Sequence, residues 1–196
     1  MALRRGDQLV SSSFEDVVAK LVAAHQRESK PPWSPRNDDA IEHELRRVVQ
    51  AVAAELQVEF RAEFGHYGSG YASFVDAWFF RRERSFRRSV SADHFTGLVV
   101  LLSRLAPVCC FLEGEKSWAP NGSSSSYLPS FEGVDTLTTD AVATLSHRVE
   151  EWLGRQGYVR LRKAELDKLL PQGVAVPTIL TDGPYREFDA LFHWED

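Results

Sequence analysis

At 196 residues, 43% apolar and 26% charged, the chain has the balance of a folded globular protein and the length for one well-buried core. Its net charge of −5 is uneven: residues 1–119 hold 16 acids against 16 bases, and residues 120–196 hold 12 against 7. An acidic surface of this kind excludes a general nucleic-acid binder, which needs a net basic face, and no run approaches the roughly 18–20 apolar residues that span a bilayer.

The opening MALRRGDQLVSSSFED has no apolar signal-peptide core, so a cytoplasmic protein is expected, without a membrane partner. Ser12-Ser13-Phe14-Glu15 has capping-box spacing, and Phe14, Val17, Val18, Leu21 and Val22 recur at helical intervals, which predicts a helix over 13–27. Ser29 to Pro35, with three prolines, reads as a stiff linker. Asn37 or Asp38 caps a second helix whose stripe is Ile41, Leu45, Val48, Val49 and Val52.

Near residue 55 the period changes to two. Leu56, Val58, Phe60, Ala62 and Phe64 alternate with polar residues, predicting a half-buried strand. The glycine-rich Gly65–Gly70 turn and the apolar run Tyr71–Phe80 complete a hairpin. Arg81 to Arg88 is the one basic cluster, placed at a strand-to-helix connection. It reads as a solvated face or an intramolecular partner for acids. Ser91 and Asp93 open a predicted helix carrying Phe95, Leu98, Val99, Leu102 and Leu105, closed by Pro107. Val108–Leu112 is a central strand, followed by Glu113–Lys116 and a loop over 119–126. Cys109 and Cys110 are adjacent, too close for an unstrained bridge, and are expected as buried thiols.

Thr138 or Thr139 caps a further helix with Val142, Leu145, Val149, Trp152 and Leu153 inward, ended by Gly154 and Gly157. A short strand near Tyr158, a helical turn over 164–170 and an extended 173–179 follow. In the tail, Phe188, Ala190, Phe192 and Trp194 alternate with Glu187, Asp189, His193 and Glu195, Leu191 being the exception, predicting a terminal strand with an aromatic core face and an acidic face. The whole is expected to be one α+β domain: a mixed or antiparallel sheet with packed helices and an N-terminal helical pair, residues 1–54 helical and 55–196 sheet-containing.

The six histidines are scattered without an H-x-x-x-H or H-E-x-x-H pair, and no metal or cofactor is expected. His193 with Asp189 and Glu195 can be read as a base with its orienting carboxylates, or as a polar strand face. Glu113 and Glu115, two apart at a strand exit, with Asp76 upstream, approach the metal-binding pattern of restriction-endonuclease-like nucleases, except that Lys116 falls one position late. A third reading is a docking face: Glu113, Glu115, Trp118, Asp189, His193 and Glu195 combine acids and aromatics suited to a basic protein partner.

The stretch VAVPTILTDGPYREFDALFHWED, residues 174–196, resembles the tails of small acidic immunity proteins of bacterial polymorphic or contact-dependent toxin systems. The resemblance rests on its Val-Pro-Thr segment, its Gly-Pro-Tyr turn and its closing Leu-Phe-His-Trp-Glu-Asp. It carries no catalytic motif. It implies a non-enzymatic, stoichiometric inhibitor that presents acids to the basic cleft of a cognate toxin domain. The alternative from the residues is a metal-dependent nuclease or hydrolase using Asp76, Glu113 and Glu115.

Overall fold

The structure, a computed structural model, describes residues 13–25, 31–68, 70–89, 93–118 and 124–196. Residues 119–123 of the expected 119–126 loop, the linker residues 29 and 30, and Ser91 lie outside the described residues, while 124–126 form a strand rather than loop. Helix α1 spans Phe14–His25, and its capping box sits one residue later than expected. The Asp16 amide donates to Ser13 Oγ, and the Ser13 amide to Asp16 Oδ2, both at 3.2 Å. Helix α2 spans Asp38–Leu56, with Asn37 Oδ1 accepting from the Ala40 amide at 2.9 Å and the anticipated stripe fully buried.

The helix runs on through Leu56, and Gln57 ends it in the left-handed region at φ 54°. Strand β1 is therefore Glu59–Glu63, beginning three residues after Leu56, the first apolar residue of the alternation. It pairs antiparallel with β3 (Phe74–Phe80), so the expected hairpin forms, and Ser73 separates β3 from the two-residue β2 (Tyr71–Ala72).

The predicted helix after the arginine cluster is instead β4, Asp93–Ser103, an 11-residue strand between β3 and β5 (Val108–Trp118). A continuous apolar run satisfies a helical spacing as readily as a strand's, and burial on both faces makes it a central strand. The arginine cluster consequently joins two strands. Strand β6 (Ser124–Ser126) closes an order β1-β3-β4-β5-β6, antiparallel throughout, and β7 (Val159–Arg160) adds in parallel beside the start of β5. The sheet curls until the Arg61 guanidinium of β1 lies 4.0 Å from the Trp118 ring centre on β5.

Helix α3 (Asp140–Arg155) packs on α2 and β4, and α4 (Lys163–Leu166) is the predicted helical turn. No strand forms over 173–179. The tail departs most from expectation. Glu187–Leu191 is a helical turn, α5, and only Trp194–Glu195 is extended, as β8 pairing with β2. The Asp189 carboxylate accepts the Arg186 amide at 2.6 Å, which starts the turn. Phe188 and Phe192, four apart, then meet at 5.5 Å and are both buried. One continuous apolar cluster joins α2, the sheet, α3 and α5, with Cys109 and Cys110 buried in it as free thiols. Among the described residues no helix is long and apolar enough to cross a membrane.

Candidate functional site

Strand register decides which candidate side chains can meet. Asp76 pairs with Leu101, and Leu101 with Cys110, so Asp76 shares a sheet face with Cys110, Gly114, Lys116 and Trp118. Glu113 and Glu115 project from the opposite face, which α3 covers. The three carboxylates of the nuclease alternative are thus divided by the sheet, and Trp118 faces away from both glutamates.

Glu113 is an internal anchor. Its side chain is 9% exposed. Its Oε2 accepts the amides of Thr138 and Thr139, at 2.6 and 3.0 Å, at the start of α3. Its Oε1 accepts the Thr96 hydroxyl at 2.8 Å, the Thr139 hydroxyl at still closer range, and Arg88 at 3.1 Å. A carboxylate at a helix N-terminus suits the free amides and the dipole there. Burial raises the Glu113 acid, but the hydrogen bonds from Thr139, Thr96 and Thr138 outweigh it and hold the group below its ordinary value. Thr139, the expected cap, therefore sends its hydroxyl to Glu113 rather than to its own helix. Glu115 is exposed and bridges Arg88 Nε and His94 Nε2, each at 2.9 Å. The basic cluster is mostly exposed and has intramolecular partners: Arg81 donates to the Leu56 carbonyl, Arg82 pairs with Glu59 at the surface, and Arg88 holds both glutamates.

On the other face, buried Asp76 accepts the hydroxyls of Tyr67 at 3.0 Å and Tyr127 at 2.5 Å. Burial pushes the Asp76 acid up, against the pull of Lys116 and the two tyrosines. The Tyr127 ring lies on Gly114, and the Trp78 indole donates to the Gly114 carbonyl at 2.9 Å. Trp118 is half-buried, stacked on Phe95 at 5.7 Å beneath the Arg61 guanidinium.

The tail residues do not join these groups. Asp189 and His193 are 5% and 3% exposed, so the expected polar strand face does not exist. His193 Nδ1 lies 3.2 Å from the Ala190 carbonyl and Nε2 3.3 Å from Glu195 Oε1, with the Phe14 ring edge-on at 5.3 Å. Burial draws the His193 imidazole below its ordinary value, against the opposing pull of Ala190 and Glu195. Of the six expected docking residues, Glu115, Trp118 and Glu195 retain exposed side-chain surface, the first two on opposite faces of β5 and the third on β8. Among the described residues no group of three or more His, Cys, Asp and Glu side chains is placed to hold a metal ion.

Sequence reasoning missed a concavity under α1. Phe14, Val18 and Val22 of α1 face Trp33, Tyr71 and Leu105 across a cavity of about 430 Å³. Arg36 and Tyr71 also line an adjoining cavity of about 370 Å³, whose other walls include Asp38, Asp39, Glu42 and Arg104. The signal was Trp33 inside a proline-rich stretch: a large aromatic is out of place in a solvated linker. No protein-family model, no curated protein and no solved structure matches the chain.

Proposed function

We propose that the chain is a non-catalytic binding protein, an immunity protein that neutralises a cognate bacterial toxin domain by direct contact. The observation that carries this reading is the fate of the acids. Asp76 lies across the sheet from Glu113 and Glu115, and Glu113 accepts hydrogen bonds on both oxygens from Arg88, Thr96, Thr138 and Thr139. A metal-assisted hydrolase needs converging carboxylates with coordination positions to spare. The division of these acids by the sheet, and the hydrogen bonds that occupy Glu113, favour a surface role over metal-assisted hydrolysis by this set.

The acidic balance of residues 120–196 supports a basic partner, because opposite charge speeds and orients encounter. The test is protection. A toxin domain is expected to be encoded beside this chain, and that domain is to be expressed in a sensitive host with and without it. Growth restored only when both are present, with the two proteins eluting as one complex, is the expected result. Continued killing with no complex overturns the proposal.

A further inference from the structure

Apart from the Phe14–His193 ring contact, the groove beneath α1 has been given no role so far. Resting on the binding-protein reading above, we infer that it is where the partner docks, and that the partner fills it with a basic amphipathic helical segment. Val17 is the one fully buried residue of α1, yet Phe14, Val18 and Val22, four apart along the helix, turn an apolar stripe toward open space. Opposite them stand Trp33, Tyr71 and Leu105, with buried His193 at the base. Such a trough takes the anchoring side chains of an amphipathic helix laid along it.

Charge at the mouth selects the partner. The two adjoining cavities are lined by four acids, Glu15, Asp38, Asp39 and Glu42, against two bases, Arg36 and Arg104. Both bases are engaged, Arg36 with Asp38 at 2.7 Å and Arg104 with Glu42 at close range. Glu15 and Asp39 are exposed and have no ion-pair partner among the described residues. A net charge of −2 around an apolar floor complements lysines or arginines flanking apolar anchors. It repels a second copy of this acidic chain.

The probe is a fluorescein-labelled peptide of about 14 residues, about four helical turns. It carries leucine on one face and lysine on the other, and its counterpart has glutamate in place of every lysine. Anisotropy titrations use the full chain. The lysine peptide is expected to bind at least about tenfold more tightly than the glutamate peptide. The double variant Glu15→Lys/Asp39→Lys is expected to lose about tenfold or more, while Glu55→Lys/Asp182→Lys, the same charge change on exposed acids outside the groove, shifts affinity less than about twofold. Val18→Glu should abolish binding. Because that change can also disturb α1, the exposed double variant decides independently.

Equal binding of the two peptides, or equal losses in the two double variants, overturns the inference. So does a dimer in sedimentation that Val18→Glu dissolves, which would give the groove to a second copy. If the toxin complex forms and tolerates Glu15→Lys/Asp39→Lys, the groove assignment fails and the binding function stands; if no complex forms, the binding function fails.

Discussion

Glu113→Gln removes one charge and almost no volume, and the structure sets what that costs. The Thr138 and Thr139 amides and the Thr96 and Thr139 hydroxyls converge on this one carboxylate, with Arg88 at its edge. Hydrogen bonds to a charged acceptor contribute about 1.5–3 kcal/mol each, but bonds sharing one group are not additive. Arg88 is partly solvated and adds little. The amide oxygen of glutamine can still accept, while its NH2 group faces donors. A net loss of about 2–4 kcal/mol follows, or about 4–16 °C in melting temperature for a domain of this size. Because the folded acid is held below its ordinary value, its contribution is complete above the unfolded pKa and fades as pH falls through the folded one. Urea unfolding followed by tryptophan fluorescence at pH 7 and pH 3 reads both effects. A variant within about 0.5 kcal/mol of the parent at pH 7, or a gap of equal size at both pH values, refutes the reasoning.

Gly97→Ala places a Cβ 2.5 Å from the Trp78 indole nitrogen and 2.6 Å from the Phe79 carbonyl, both in the fully buried centre of the sheet. It should cost at least about 1–3 kcal/mol, seen as a lowered thermal midpoint by circular dichroism. An unchanged midpoint would mean that β3 and β4 are not packed this closely. Asp76→Asn tests the opposite case to Glu113. Burial raises the Asp76 acid, so the stability it lends is present at low pH and is lost as pH rises through its folded pKa. The asparagine variant should therefore gain on the parent between pH 4 and pH 8 in denaturant titrations, and a widening deficit over that range would contradict the assignment.

How far the sequence foretold this molecule differs from element to element. Helix α2 was legible because its cap and stripe agree, as was the β1–β3 hairpin because its period is two on one side and its run apolar on the other. Strand β4 was not, since residues buried on both faces lose the alternation that distinguishes strand from helix. The tail misled for a related reason. Leu191, the exception to the period of two, is the third member of a helical set with Phe188 and Phe192, and it marked α5. Glu113 stood out at an expected strand exit, yet β5 runs on to Trp118 and holds it mid-strand, and its role depends on Thr138 and Thr139, 25 and 26 residues later, a contact that no local pattern carries. Trp33 lay inside a stretch read as a linker, so one wall of the groove went unseen.

The most direct test of the central claim is the mass of what this protein binds. The tagged chain is recovered from its native cells and sized by chromatography with light scattering, its companions being identified by mass spectrometry. One basic protein at a 1:1 ratio, released at high salt, is what the account predicts. A chain recovered alone that cleaves nucleic acid in the presence of a divalent cation, and loses that activity on Asp76→Asn, would contradict it.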